Sequence, residues 1–326
     1  MLIKLRQPKF WQKPGLFTWL LYPCSLLYGG VVSVVIRWKK PRELPIKSIC
    51  VGNVIMGGAG KTPITLAIIE LLCNKNINAQ IVFKAYQAPV KQAIYVNENS
   101  KNAMDIGDEP CMVAHKGIPT WVGSSRFEAA MKAYQAGADT IVFDDGFQDL
   151  SVNIDIRGLI FDPLLNLCHV FPAGPLREPL NAALKRADVL FVDEKYTTHD
   201  LPQSKDIIYY KRVIDFETNF KKEAPTLAFC GIGNPKQFEE MLIANNTNLV
   251  EFLTFPDHHK YRPNDIENII RIAKLKKLQV ITTEKDIVKI PEKYASLIKI
   301  VSLRVNFVDQ KKALKVFLRD KALKRP

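Results

Sequence analysis

Residues 51–63 read VGNVIMGGAGKTP, a run whose residue types and spacing suit the holding of nucleotide phosphates. Gly57, Gly58, Ala59 and Gly60 are small enough to bring backbone N–H groups close to phosphate oxygens, and the helix expected to follow offers its positive end. Lys61 can reach the β- and γ-phosphates, and the Thr62 hydroxyl can serve as a magnesium ligand. The usual phosphate-loop spacing sets a glycine six positions before the lysine, but Ile55 occupies that place. A second run, TIVFDDGFQD at 140–149, ends an apolar strand in Asp144 and Asp145. Carboxylates at the carboxyl edge of a parallel sheet would stand beside such a loop, where one could hold Mg²⁺ and the other shape the site.

The elements that must position these residues are legible as short apolar runs separated by helical patterns. IKSICVGNV reads as a buried strand feeding the loop, and TPITLAIIELLCNKN as the helix behind it. AQIVFKAY, TIVFDDGFQD, DIRGLIFD and ADVLFVD are further strands, so the expected class is α/β with a mostly parallel sheet covered on both faces. The pattern loosens over 195–225 and a new alternation begins at PTLAFCGIGNPKQFEEML. NLVEFLTFPDHH, LQVITTEKD and IKIVSLRVNF are its later strands. The chain therefore divides into an N-terminal segment 1–45, a phosphate-loop NTPase-like domain 46–220 and a smaller α/β domain 221–326. The basic tail from Lys311 onward reads as a solvated helix face.

From Pro14 to Ile36 no charged residue occurs, a stretch long enough to cross a bilayer core or to lie along it. Trp11, Trp19, Tyr22, Tyr28 and Trp38 include candidate interfacial anchors, and basic residues flank both ends. The stretch is too long for a signal peptide and lacks a convincing cleavage site; a buried pair of short helices broken at Pro23 or Gly29-Gly30 is the plain alternative. The net charge of +13 favours anionic partners, but no nucleic-acid-binding motif accompanies it, and none is expected. Six widely spaced cysteines form neither a zinc motif nor a disulfide framework.

Three further runs, GDEP at 107–110, FPAGPLREP at 171–179 and FPDHHKY at 255–261, join GNVIMGGAGKTP and DDGFQ in sequence order. Together they resemble the tetraacyldisaccharide 4'-kinase family, the lipid A kinases of Gram-negative bacteria, over nearly the whole chain as far as TTEKD at 282–286. The resemblance implies transfer of the ATP γ-phosphate, with Mg²⁺, to the 4'-hydroxyl of a tetraacylated glucosamine disaccharide 1-phosphate. It also implies an enzyme associated with the inner membrane, its catalytic body on the cytoplasmic face, with a membrane-associated N-terminal helix before two α/β domains. No obligate protein partner is inferred.

Carried over by motif, Lys61 and Thr62 match the nucleotide-phosphate and magnesium positions, Asp145 a magnesium-associated carboxylate and Asp144 its neighbour. Asp108 matches a residue working with a histidine to deprotonate the sugar hydroxyl; that histidine is matched to His258, with His259 as the adjacent alternative. Glu109 supports the same region, Arg177 matches a polar site position, and Glu178 is placed among the magnesium ligands. The chain departs from the family at Phe83-Lys84-Ala85-Tyr86-Gln87, where Ser-Arg-Gly-Tyr-Gly is common. Lys84 keeps the charge without arginine's rigid fork. Two rival readings are a soluble ATPase or GTPase switch, and an ATP-binding membrane scaffold without catalysis. The partitioning ATPases are disfavoured by Met56, where their loops often carry a lysine.

Overall fold

The computed structural model describes residues 8–12, 15–57, 60–85, 90, 92–97, 106–202 and 205–319; Gly58, Ala59, Tyr86 and Gln87, singled out above, lie outside the described residues. The strands are β1 (Lys47–Gly52), β2 (Ala79–Lys84), β3 (Ile94–Val96), β4 (Thr120–Gly123), β5 (Thr140–Asp144) and β6 (Ile156–Phe161). They continue as β7 (Val189–Asp193), β8 (Asp206–Phe216), β9 (Thr226–Cys230), β10 (Leu249–Thr254), β11 (Gln279–Thr283) and β12 (Lys299–Phe307). All twelve form one sheet in the order β10-β9-β11-β12-β8-β7-β6-β1-β5-β2-β4-β3. Neighbours pair in parallel except β12 with β8 and β3 with β4.

The parallel strands are apolar nearly end to end because helices cover both faces, which leaves no solvent side for a polar alternation. In β1, every residue after Lys47 is buried, and β5 is buried throughout. One core packs Ile49, Val51 and Phe83 against the helix Lys61–Cys73; the opposite face gathers Cys50, Phe143, Phe147 and Leu159. Gly52 has a packing reason. A Cβ there would stand 2.4 Å from the Phe147 Cβ, so only glycine lets the turn after β5 lie across the end of β1.

The strands expected from the sequence are present, and β3, β4 and β8 are additions. The sequence over 195–225 reads as a loosened connection, whereas residues 206–216 form an eleven-residue strand. Its polar residues obscure the pattern because burial alternates only in part along it. The second correction concerns the C-terminus. The helix Gln310–Phe317 is not simply a solvated face, for Ala313, Val316 and Phe317 are buried in the same core as Ile64 and Ile68. The chain thus returns at its end to the first half, although residue 220 itself lies in the connection between β8 and β9.

The apolar stretch forms a helix, Leu16–Trp38, long and apolar enough to cross a membrane and mostly exposed. Neither Pro23 nor the Gly29-Gly30 pair divides it into two. Pro23 is its eighth residue, at the start of the third turn. It rests on the body along one edge. The Ser25 hydroxyl accepts from the Ala173 N–H at 2.9 Å, Trp11 Nε1 donates to the Pro172 carbonyl at 3.0 Å, and Tyr28 meets the Phe171 ring at 5.5 Å.

Candidate active site

β1 leads into the phosphate loop, and the helix Lys61–Cys73 leaves it at once. Gly57 (φ 116°) and Gly60 (φ 69°) take up backbone angles that other residues resist. Pro63 sits in the first helical turn, where a missing N–H leaves no hydrogen bond unmade. The next hydroxyl back, that of Thr62, donates to Asp144 Oδ2 at 2.7 Å. Asp144 is 2% exposed, and its Oδ1 has no hydrogen-bond partner among the described residues. Burial and then the Glu109 charge push its pKa up to about 7, against the opposing Thr62 hydrogen bond and the Lys61 ammonium. A buried carboxylate with one unengaged oxygen beside a threonine hydroxyl suits a hard cation that takes oxygen ligands.

Asp145 does different work. It takes a left-handed backbone (φ 53°), and its side chain faces Lys61 Nζ at 3.6 Å and Arg177 Nη1 at 3.4 Å. Buried Arg126 holds this turn, donating to the Asp145 carbonyl at 2.6 Å and pairing with Asp149 at 2.8 Å. Burial works against ionised Asp149, but the Ser151 hydrogen bonds and Arg126 outweigh it and lower its pKa to about 2. Of the adjacent aspartates it is therefore Asp144, rather than Asp145, that joins Thr62.

Glu178, expected among the magnesium ligands, is paired with Arg186 in this structure. It is 1% exposed and is gripped by Arg186, with Nη1 at 2.7 Å from Oε2 and Nη2 donating to Oε1 at 2.9 Å. Gln148 donates to the same Oε1 at 3.2 Å. The Glu178 Oε2 takes part in the ion pair with Arg186 but makes no hydrogen bond among the described residues. Its neighbour Arg177 does reach the site, because the loop 170–177 pairs with the chain entering the phosphate loop. The Arg177 N–H donates to the Val54 carbonyl at 2.7 Å and the Met56 N–H to the Pro175 carbonyl at 3.0 Å.

Asp108 and Glu109 open the helix Asp108–Ala114, after Gly107 in the left-handed region (φ 110°). His258 comes from the loop after β10, itself left-handed (φ 58°), and its Nδ1 lies 2.8 Å from Asp108 Oδ2. His259 turns the other way, to Asp265 at 3.1 Å. Thus His258 is the histidine brought to Asp108. Burial would raise the Asp108 pKa, but the His258 hydrogen bond and the Lys289, His258 and Lys285 charges carry it below the ordinary value. Glu109 links the two clusters: its charge acts on Asp144, and its Oε1 lies 3.1 Å from Lys285 Nζ.

Several residues of this arrangement carried no role in the sequence. Lys285 lies inside TTEKD, a run noticed only as the end of a resemblance, and Lys289 follows it by four residues. Arg126 had no local signal, and Gln148 lies inside DDGFQ without a role of its own there, since their partners are distant in the chain. On the described part of the altered segment, Phe83 is buried in β2 and Lys84 is exposed at its end.

The arrangement can therefore hold an anion on a helix N-terminus, set a cation beside it and offer a histidine-paired carboxylate nearby. Comparison with known proteins leads to the same place. The family model described as tetraacyldisaccharide-1-P 4'-kinase matches residues 17–322. A tetraacyldisaccharide 4'-kinase of Rhodopseudomonas palustris (strain BisB5) is 34% identical over 320 residues, covering 95% of this chain and 94% of that protein. One from Gluconobacter oxydans is 33% identical, covering 94% and 95%. The crystal structure of LpxK from Aquifex aeolicus in complex with ATP has the same fold, with a TM-score of 0.75 over 93% of this chain and 100% of that one at 24% identity. With a match that runs from the apolar helix to the C-terminal helix, the chain belongs to the tetraacyldisaccharide 4'-kinase family.

Proposed function

We propose that this protein transfers the γ-phosphoryl group of ATP to the 4'-hydroxyl of a tetraacylated glucosamine disaccharide 1-phosphate, at the cytoplasmic face of a Gram-negative inner membrane. The observation that carries the reading is the Asp108–His258 contact of 2.8 Å, linked through Glu109 to the Thr62–Asp144 pair of the phosphate loop. A sugar hydroxyl needs a base in the transition state. Asp108 orients His258, whose Nε2 takes the hydroxyl proton as the oxygen bonds to the γ-phosphorus. The bond from that phosphorus to the β,γ-bridging oxygen breaks, and ADP leaves with the electron pair. Lys61 and the helix N-terminus hold the phosphates, while Arg177, already engaged with Asp145, can follow charge as it moves outward.

Thr62 and Asp144 would hold Mg²⁺, which supplies neutralisation of phosphate charge when bound. The helix Leu16–Trp38 would keep the site at the bilayer, where the acceptor's acyl chains remain. The chain then functions as a membrane segment over 1–45, a nucleotide-binding domain over 46–220 and a smaller domain over 221–326 that contributes His258.

The test is phosphotransfer in detergent micelles, with labelled ATP, Mg²⁺ and tetraacyldisaccharide 1-phosphate. The wild-type protein is expected to form the bisphosphorylated lipid, and Asp108→Ala to lose about 10²–10⁴-fold in rate, as expected when a proton-transfer partner is removed. ATP hydrolysis by the wild type without any lipid product would favour a soluble switch. ATP binding without turnover would favour a silent scaffold.

A further inference from the structure

Lys285 and Lys289 stand four residues apart, in and just beyond the short helix Glu284–Ile287, and both point across the molecule into the Asp108–His258 cluster. Their base is rigid. Asp286 is fully buried and accepts from Gly231 N at 3.1 Å, Thr283 Oγ1 at 2.7 Å, Tyr261 Oη at 3.1 Å and Lys289 Nζ at 2.7 Å. From this anchor Lys289 reaches Asp108 Oδ2 at 3.9 Å, the same oxygen that His258 Nδ1 meets. Lys285 reaches Glu109 Oε1 at 3.1 Å, Asp257 Oδ1 at 3.9 Å and His258 Nε2 at 3.3 Å.

The last contact constrains the histidine. An ammonium has three donors and no acceptor, so a ring nitrogen facing it must present its lone pair. Burial opposes the Lys285 charge, yet Glu109, Asp257 and Asp108 outweigh burial and raise its pKa, so the ammonium is the form present at neutral pH. The nearest carboxylate to Nε2, Asp257 Oδ2 at 3.7 Å, lies beyond hydrogen-bond reach and cannot hold a proton there. The proton of neutral His258 is then on Nδ1, donated to Asp108, and the lone pair is on Nε2.

We infer that Lys285 is a positioning residue that sets the tautomer of His258, keeping the Nε2 lone pair ready for the acceptor hydroxyl. This rests on the kinase reading above. When the hydroxyl arrives, Lys285 releases Nε2 and remains held by Glu109 and Asp257, so no charge is left unpaired. Lys289 acts on the other side, keeping Asp108 ionised to receive the Nδ1–H. The two lysines come from the second half of the chain and the two carboxylates from the first, so the tautomer is set only where the halves meet.

The test is a long-range ¹H–¹⁵N correlation spectrum of ¹⁵N-histidine-labelled full-length protein in micelles at about pH 8, where an ordinary histidine is neutral. Loss of a signal in His258→Gln supplies the assignment. Wild-type His258 is expected as the Nδ1–H tautomer with unprotonated Nε2. Lys285→Met is expected to mix the tautomers and to lower kcat about 10–100-fold, within the range for a displaced general base, with KM for ATP unchanged. Lys285→Arg is expected to restore the tautomer and part of the rate. Wild-type His258 found as the Nε2–H tautomer, or Lys285→Met with wild-type ring signals and kcat, would overturn the inference. The wild-type spectrum needs no variant to fold and no lipid to react, so a failed kinase assay and a failed tautomer assignment remain separate results.

Discussion

At Asp144 the fold works against the ionised state that a cation would need. The folded-state pKa of about 7 compares with an ordinary 3.8, so between those values the folded chain keeps a proton that the unfolded chain has already released. The contribution of this group to stability is therefore greatest below the lower value and falls as pH rises from about 4 to about 7. Above that range the ionised group is buried beside Glu109 and Asp145 with only Thr62 and Lys61 in its favour. Asp144→Asn is expected to raise the melting temperature of the ligand-free protein above pH 7 while abolishing phosphotransfer, a trade of stability for function seen where sites hold charge at a cost. Magnesium, in the presence of ADP, is expected to raise the melting temperature of the wild type and not of the variant. An equal magnesium-dependent rise in both would place the metal on other residues.

At the scale of elements, the loop from His169 to Pro179 joins the apolar helix to the phosphate loop. Its first part carries the aromatic and hydrogen-bonding contacts to Trp11, Tyr22, Ser25 and Tyr28. Its second part pairs Leu176 with Ile55 and directs Arg177 to Asp145. The rest of the helix is bare: Leu16 is 84% exposed, Leu20 70% and Leu27 73%. Side chains of this kind are costly in water in proportion to their apolar area, which is why a surface that presents them in one run marks a partner. Leu20→Glu with Leu27→Glu is expected to leave the fold intact, since neither side chain packs on the body, and to reduce flotation with phospholipid vesicles several-fold. Undiminished flotation would assign membrane attachment to another surface.

Over the whole molecule, the site is assembled from the middle and one edge of one sheet. The strand that feeds the phosphate loop lies at its middle, and the loop carrying His258 follows β10 at its edge. The contact between them is ionic: Asp108 and Glu109 meet His258, Lys285 and Lys289, and Lys116 pairs with Glu284 beside them. The net charge of +13 acts at this scale too, favouring anionic surfaces within about a Debye length. Vesicle binding is expected to be stronger with anionic than with zwitterionic lipid and to weaken, without vanishing, between low and high salt. Complete release at high salt would mean that charge alone holds the protein and that the apolar helix adds nothing.

The amino-acid pattern was enough for the class of fold, the phosphate loop, the strand ending in two aspartates and the long apolar segment. Each is a local pattern: unbroken apolar runs for buried parallel strands, glycines before Lys61-Thr62, and a charge-free stretch with basic ends. β3 and β4 escaped because they are only three and four residues long, and β8 because its residues alternate too weakly in burial to show a period; the C-terminal helix looked solvated because its three lysines equal in number the three side chains it buries. Tertiary structure alone decided which of two adjacent aspartates meets Thr62, which of two adjacent histidines meets Asp108, and that Glu178 is bound to Arg186. The reason is geometric. Asp144 ends a strand with its side chain buried, while Asp145 begins a left-handed turn facing Lys61; His258 is left-handed and faces Asp108 while His259 faces Asp265. Neighbours in sequence carry the same chemistry into opposite directions, and only the backbone angle between them separates their roles.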